Sequence, residues 1–184
     1  MTQGDHGRGA ARKDGGDVLV APVTLADAPI LHRLMNDPAV LAALLEMPTT
    51  LSTWRKAIAT WREDPDEEDF VIWTTAGGGR VGWIGVNGLR SAEGMAWIKM
   101  LAVVPEAWGM GYASAAIRWV KGWLAGQGFP LVALWTDAGN GRARRCYERN
   151  GFVVAATVWD TTAPEQDPRP RLRMACALKD APPS

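Results

Sequence analysis

A nearly unbroken apolar stretch in the middle of the chain, residues 96–104, is the feature that most restricts the fold. Lys99 is its only charged residue, so the stretch predicts a central β-strand with both faces covered. Glycines follow at positions 109 and 111, and residues from about 111 to 127 repeat apolar side chains at helical spacing. A buried strand that runs through a glycine turn into an amphipathic helix indicates a domain in which helices flank a sheet.

Further strands and helices are expected on both sides of this unit. Thr24 and Asp27 form the S/T-x-x-D/E signature of a helix start, and Asn87-Gly88 is a turn signal after a β-like run. Residues 70–75 and 80–89 are predicted to be neighbouring antiparallel strands. The other predicted strands are 18–23, 131–136, 152–159 and 172–178, and the other predicted helices begin near residues 24, 37, 50 and 140.

Composition and length indicate one globular domain. The chain has 184 residues, 47% of them hydrophobic and 22% charged, with a formal net charge of zero. Residues 1–17 have no hydrophobic period and are expected to be a disordered tail, residues 18–180 the domain, and 181–184 a second tail. No nucleic acid, membrane or metal partner is expected, and Cys146 and Cys176 are predicted to be reduced thiols of a cytoplasmic protein.

Ten tryptophans against three phenylalanines and two tyrosines make the aromatic content unusual. Tryptophan carries one polar N–H on a large apolar body, so it fills cores and also lines binding surfaces. Most of the ten are expected in the core, and Trp54, Trp61 and Trp73 are candidates for lining a pocket.

The turn Trp108-Gly109-Met110-Gly111-Tyr112-Ala113 is suited to hold an anion. The first turn of a helix has backbone N–H groups without intrahelical partners and carries the positive end of the helix dipole. Glycine permits a sharp turn and lets phosphate oxygens approach the backbone without a Cβ in the way. An ordinary strand-to-helix turn that needs glycine only for its shape explains this spacing equally well.

A second pattern lies one strand further along the chain. Asn140, Ala143, Tyr147, Gly151 and Phe152 fit N-x-x-A-x-x-x-Y-x-x-x-G-F without a gap. Together with the loop at 108–113, this pattern resembles the GNAT superfamily of acetyltransferases, over residues 96–158. The resemblance implies an α/β (α+β) GNAT fold, with a mixed, mostly antiparallel sheet of about six or seven strands and about four or five helices. It also implies acetyl-CoA as the cosubstrate, wedged where two adjacent strands diverge.

The resemblance places the coenzyme along three segments. The pantetheine arm would follow Leu101, Ala102 and Val103, and Asn140 matches an asparagine near that arm, although it is equally suited to cap a helix. Trp108 stands where relatives usually have Gln or Arg, so their side-chain contact to the phosphates is not expected from this position. The pyrophosphate would be held by the backbone N–H groups of Gly109, Met110, Gly111, Tyr112, Ala113 and Ser114.

Two side chains are candidates for catalysis. Tyr147 matches the tyrosine that relatives place beside the coenzyme sulfur, where a phenol can hydrogen-bond to the leaving thiolate or protonate it; the alternative is a core tyrosine.

An amine acceptor also needs a base, because amines are mostly protonated at neutral pH. Trp97 stands where some relatives carry a glutamate, and Asp137 resembles in position an aspartate of aminoglycoside 6'-N-acetyltransferases. No cysteine or serine lies beside a base, so direct transfer is expected.

The acceptor has no motif of its own. We expect a small-molecule amine as the acceptor, either aminoglycoside-like or another amine metabolite. A protein N-terminus is the second alternative, because residues 108–113 resemble the loop of ribosomal-protein N-terminal acetyltransferases. Glu46 and the acidic run at 64–69 would attract a cationic acceptor or form solvated loops. A coenzyme A-binding module without catalysis and a homodimer also stay open. A dinucleotide-binding domain is disfavoured because Ser114 replaces the last glycine of G-x-G-x-x-G.

Overall fold

An eight-stranded sheet runs through the computed structural model, which describes residues 10–11, 18–75, 78–160 and 169–178. The strands are β1 (Ala10–Ala11), β2 (Val18–Pro22), β3 (Glu68–Thr74), β4 (Arg80–Asn87), β5 (Met95–Val103), β6 (Leu131–Asp137), β7 (Val153–Asp160) and β8 (Arg169–Ala177). The helices are α1 (Ala28–Met35), α2 (Pro38–Leu44), α3 (Leu51–Glu63), α4 (Tyr112–Gly126) and α5 (Gly141–Arg149). Short 3-10 turns at Leu25–Asp27 and Pro105–Ala107 lead towards α1 and α4.

The sheet has the order β1-β2-β3-β4-β5-β6-β8-β7, and every neighbouring pair is antiparallel except β5 with β6. The predicted fold class, a mostly antiparallel mixed sheet with flanking helices, is therefore confirmed. The hairpin of β3 and β4 is also confirmed. The short strand β1 lies within the stretch expected to be a tail; residues 1–9, 12–17 and 181–184, the rest of the two expected tails, lie outside the described residues.

Short polar side chains begin the helices at the expected places. The backbone N–H and hydroxyl of Thr24 both donate to the Asp27 carboxylate at 2.8 Å, which closes the 3-10 turn before α1. Asp37 and Thr50 accept hydrogen bonds from first-turn N–H groups of α2 and α3. Among the described residues, no helix is both long enough and apolar enough to cross a bilayer.

The helices divide the core into two layers. On one face of the sheet, α4 and α5 pack on a cluster that includes Ile84, Ile98, Leu134 and Met174. On the other face, α1 and α3 cover a smaller cluster of β3, β4 and β5 side chains, and this cluster contains Trp54 and Trp83. Trp54 is buried and lies edge-on to Trp83, with ring centroids 5.5 Å apart, so it is a core residue.

Strands β5 and β6 pair only over their first halves. Parallel pairing joins Met95–Ile98 to residues 131–134, after which β5 continues beside β4 and β6 continues beside β8. Lys99 is an extra residue in β5, because Ile98 pairs with Val86 while Met100 already pairs with Gly85. The second half of β5 therefore borders a gap. Lys99, Met100 and Leu101 are only partly buried, which differs from the expectation that the whole strand is covered on both faces.

Candidate active site

A cleft of about 660 Å³ opens where β5 and β6 part. This size is typical of a pocket for a small-molecule ligand. Twelve of the thirteen site residues predicted from the sequence line it: Leu101, Ala102, Val103, Trp108, Gly109, Gly111, Tyr112, Ala113, Ser114, Asp137, Asn140 and Tyr147. Met110 does not line it, and its side chain is 57% exposed. Two motifs far apart in the sequence thus meet around one opening in the sheet.

The glycine turn has the backbone shape that an anion site needs. Gly109 and Gly111 have φ angles of 80° and 86°, a left-handed backbone conformation that residues with a Cβ rarely adopt. A Cβ at Gly109 would meet no atom within 4 Å, so open space lies over this backbone. The 15-residue helix α4 begins immediately after Gly111, and residues of its first turn line the cleft. The N–H groups of a helix start lack intrahelical partners and favour an anion.

Trp108 and Arg142 both line the cleft and contact each other. The Trp108 indole N–H donates to the Val103 carbonyl at 2.7 Å, and the Arg142 guanidinium lies over the indole ring, 3.3 Å from the centroid. Partial burial lowers the pKa of Arg142, but an arginine remains cationic at neutral pH. Arg142 of α5 therefore places a positive charge beside Trp108, the position at which relatives usually carry Gln or Arg. The sequence motifs did not reveal Arg142, because only tertiary structure brings it to Trp108.

Tyr147 is a buried phenol that lines the cleft. It is 9% exposed and packs near Phe152, with ring centroids 5.9 Å apart. Burial, and secondarily the neighbouring Cys146, raise the pKa of Tyr147 far above its usual range. The group is therefore a neutral O–H donor at physiological pH. Tyr147 is therefore a core residue that also lines the cleft, and its role beside the coenzyme sulfur stays a prediction.

Asn140 has a structural role that uses both polar atoms of its side chain. Its Oδ1 accepts from the Ala143 N–H at 3.1 Å, which caps α5, and its Nδ2 donates to the Ala43 carbonyl at 3.1 Å. The capping role that was one of two sequence interpretations is therefore present. The second bond ties α5 to the C-terminal end of α2, which also lines the cleft. Direct contact of Asn140 with the pantetheine stays a prediction.

Asp137 is the last residue of β6 and lines the cleft. Its Oδ1 accepts from the Gly139 N–H at 2.7 Å, and its neighbour across the strand pair is Arg171 of β8. Side chains alternate along a strand, so Asp137 shares a sheet face with Trp135. The Trp135 ring stacks on Trp97, with centroids 6.4 Å apart. Trp108 and Trp135 are the tryptophans that line the cleft, whereas the candidates Trp54, Trp61 and Trp73 do not.

The acidic run contributes to a buried ion cluster. The Lys99 ammonium contacts Glu67 at 2.6 Å and Asp69 at 2.9 Å, and the Trp83 indole N–H donates to Asp69 at 2.8 Å. Burial raises the pKa of Asp69 to about 6, although Lys99 and Trp83 act in the opposite direction. Glu67 and Asp69 thus neutralise a lysine of the chain itself. Glu46 is exposed and lines the cleft.

The profile of the Acetyltransferase (GNAT) family matches residues 33–152, which include both the glycine turn and the pattern that ends at Phe152. The chain belongs to the GNAT family. It is an acetyl-CoA-dependent N-acetyltransferase. The prediction of family, fold and cosubstrate made from the two motifs is confirmed. No curated protein sequence matches this GNAT chain significantly.

Solved structures share the fold of this GNAT protein. Spermidine N-acetyltransferase from Vibrio cholerae, in complex with CoA and spermine, has a TM-score of 0.77 at 17% identity and covers 88% of this chain and 95% of its own. An acetyltransferase from Thermus thermophilus has a TM-score of 0.69 at 22% identity, with 88% and 97% covered. Such low identities establish the fold and leave the acceptor open. In the described part of the chain, no group of His, Cys, Asp and Glu side chains is arranged to hold a metal ion.

Proposed function

We propose that this GNAT protein acetylates a primary amine of a small molecule by direct attack on acetyl-CoA. The pantetheine arm lies along Leu101, Ala102 and Val103 in the gap between β5 and β6. The backbone N–H groups of Gly109 and of residues 111–114 hold the pyrophosphate, with the Arg142 guanidinium beside it. The Met110 N–H is left out of this set, because it donates to the Ala107 carbonyl at 3.3 Å. The supporting observation is the cleft itself, because residues of the glycine turn, Tyr147 and Asp137 all line it.

The proposed reaction needs one acid and one base. The amine nitrogen attacks the thioester carbonyl carbon, and the tetrahedral intermediate collapses when its C–S bond breaks. The raised pKa keeps the Tyr147 phenol protonated, so its O–H is present to hydrogen-bond to the departing thiolate, or to protonate it, as the C–S bond breaks. Before the attack, Asp137 takes one proton from the acceptor ammonium, directly or through water, and so frees the nitrogen lone pair. The nitrogen loses its second proton to solvent as the amide forms. Asp137 then releases its proton to solvent and Tyr147 regains one from solvent, so that one proton is released in each turnover.

The proposed class of acceptor is supported by a structural neighbour of the same fold, and no sequence motif identifies it. The structural neighbour bound to CoA and spermine is a spermidine N-acetyltransferase, so its acceptor is a small amine. A small molecule therefore remains the first candidate. A protein N-terminus is the second candidate, because the Trp-Gly-x-Gly-Tyr-Ala loop resembles that of ribosomal-protein N-terminal acetyltransferases.

Release of free thiol from acetyl-CoA over a panel of amino acids, amino sugars, aminoglycosides, polyamines and N-terminal peptides tests the proposal. We expect Tyr147→Phe to lower kcat by about 100-fold or more while the affinity for CoA changes little, because only the phenol oxygen is removed. Calorimetric titration with CoA is the control. Unchanged kcat in Tyr147→Phe would exclude the acid role, and a protein that binds CoA but acetylates no amine would be a non-catalytic module.

Asp137→Asn tests the base separately. Asparagine keeps an oxygen for the Gly139 N–H, so the turn after β6 should be preserved. We expect kcat/KM for the amine to fall by about 100-fold near neutral pH. The loss should shrink as the pH rises towards the pKa of the amine, because the free amine then needs no base. A loss that is equal at all pH values would assign Asp137 a purely structural role.

A further inference from the structure

A bulge in β5 lies at the point where β5 and β6 part. Ile98 is the last residue of β5 that pairs with β6, where it lies opposite Leu134. Lys99 is then skipped by the pairing with both neighbouring strands, and Met100 pairs with Gly85 of β4. An extra residue bends a strand and increases its local twist, so this bulge is placed to turn β5 away from β6.

The bulge also decides which face of the sheet each later residue of β5 occupies. Side chains of a regular strand alternate between the two faces. Lys99 and Met100 are consecutive, yet both contact the core cluster covered by α1 and α3, in which the Lys99 ammonium lies 4.5 Å from the centroid of the Trp61 ring. Leu101 and Val103 consequently pack on the side of α4 and α5. A strand without the bulge would exchange the faces of all later residues, because a shift of one residue reverses the alternation.

The Lys99 side chain reaches across β4, in the direction opposite to β6. Its ammonium contacts Glu67 at 2.6 Å and Asp69 at 2.9 Å, at the start of β3. The lysine passes β4 at Gly85, which pairs with Asp69. A Cβ at Gly85 would approach the Lys99 Cε to 2.7 Å, so this glycine leaves the path open. The ion cluster therefore draws the bulged residue towards β3 and away from β6.

Stability alone is a weak reason for such a buried ion cluster. Removing a lysine and two carboxylates from water costs free energy that their mutual attraction only partly offsets, and apolar residues of similar size often stabilise a protein as much. The best-attested use of a buried polar or charged group is to specify one register over another. Here another register of β5 would leave Glu67 and Asp69 without their cation, because Lys99 would no longer be the bulged residue.

We propose that the ion cluster of Lys99, Glu67 and Asp69 fixes the bulge of β5, and that Lys99 is thereby a positioning residue for the cosubstrate. It holds residues 101–103 in the register, and at the separation from β6, that the pantetheine arm needs. This inference rests on the proposed course of that arm along β5. Lys99 acts through the backbone of β5 and takes no part in the proton transfers.

Neutralising the whole cluster tests the proposal without leaving a buried charge unpaired. In the variant Lys99→Met/Glu67→Gln/Asp69→Asn, the asparagine can still accept from the Trp83 indole N–H. We expect the Kd for CoA, measured by calorimetric titration, to rise by about 10-fold or more, because a displacement of about 1 Å can cost about 100-fold in rate or binding. The value of kcat/KM should fall equally with acetyl-CoA and with acetyl-pantetheine, because the arm is misplaced and the phosphate site is intact.

Single substitutions at two cations provide the matched control. Lys99→Met and Arg80→Met each remove the cation from a buried carboxylate, since Arg80 contacts the buried Asp27 at 2.6 Å. Neither Arg80 nor Asp27 lines the cleft. We expect both variants to lower the melting temperature and only Lys99→Met to weaken the binding of CoA. Lys99→Arg keeps a cation and should recover part of the affinity that Lys99→Met loses.

Three results would overturn the inference while the proposed function stands. Wild-type affinity and kcat/KM in the neutralised variant would show that the cluster does not position the arm. An equal loss of affinity in Arg80→Met would make the effect one of stability, and a loss confined to acetyl-CoA would place it at the phosphates. A wild-type protein that binds CoA but acetylates no amine would instead remove the proposed acetyl transfer, and the Kd values would still decide the role of Lys99.

Discussion

At the scale of single residues, the pair formed by Trp108 and Arg142 shows how a departure from a motif is compensated. The loop position that relatives fill with Gln or Arg is occupied by an indole, and that indole is fixed by its bond to the Val103 carbonyl. The indole in turn carries the guanidinium of Arg142 on its face. The charge is therefore retained although the motif residue is lost.

This compensation predicts a selective effect on the coenzyme. We expect Arg142→Ala to raise the KM for acetyl-CoA by about 10-fold, because one charge-assisted contact to the phosphates is removed. Acetyl-pantetheine, which has no phosphate, should be used equally well by both proteins. Adding Trp108→Arg to the Arg142→Ala variant should recover part of the affinity, because it restores a cation at the loop. Equal losses with both thioesters would show that Arg142 acts on the fold rather than on the phosphates.

Asp69 gives a prediction for stability against pH. Its pKa in the folded protein is about 6, above the ordinary value of 3.8, so between these values the folded state binds a proton that the unfolded state lacks. The free energy of unfolding should therefore fall as the pH rises through this window, by roughly 2–3 kcal/mol from this group. Urea unfolding at several pH values should show a flatter profile for Asp69→Asn. Parallel profiles of the two proteins would contradict the assignment.

At the scale of elements, glycines in β4 and α4 are expected to respond oppositely to alanine. A Cβ at Gly85 would overlap the Asp69 carboxylate and approach the Lys99 Cε to 2.7 Å, so the ion cluster requires a glycine on this strand. We expect Gly85→Ala to destabilise the protein by about 1–3 kcal/mol. Gly122 is exposed in α4, and a Cβ added there would meet no atom within 4 Å, so Gly122→Ala should stabilise by about 0.5–1 kcal/mol. Denaturant midpoints of both variants measure the difference, and equal effects would contradict it.

Helices and strands were largely predictable because their signals are local. Thr24, Asp37, Thr50 and Asn140 precede helices as the capping patterns indicate. The divergence of β5 from β6 was expected only through the family resemblance. Its physical basis, the bulge at Lys99 and the change of partners beyond Ile98, depends on neighbouring strands and has no local signature.

At the scale of the whole molecule, the cleft joins α2, β5, α4, β6, α5 and β8. A ligand that contacts all of these elements should stabilise the fold as a unit. At a concentration about 100 times its Kd, CoA should add about 2.7 kcal/mol and raise Tm by roughly 5–10 °C. Pantetheine at the same concentration should raise Tm less, because it makes no phosphate contacts. Equal shifts in thermal denaturation would argue against the phosphate site at the glycine turn. The cytoplasmic location and the homodimer stay predictions.

The sequence by itself determined the order of elements, the family and most of the residues that line the cleft, because caps, glycine turns and apolar periods act over a few neighbouring positions. Tertiary structure alone decided which charges meet. It placed Arg142 on Trp108 and set Lys99 between Glu67 and Asp69. These contacts join residues from different elements, and strand register and helix packing position them. The glycine turn could be predicted from the sequence, whereas the positions of the charged side chains around it depend on the tertiary structure.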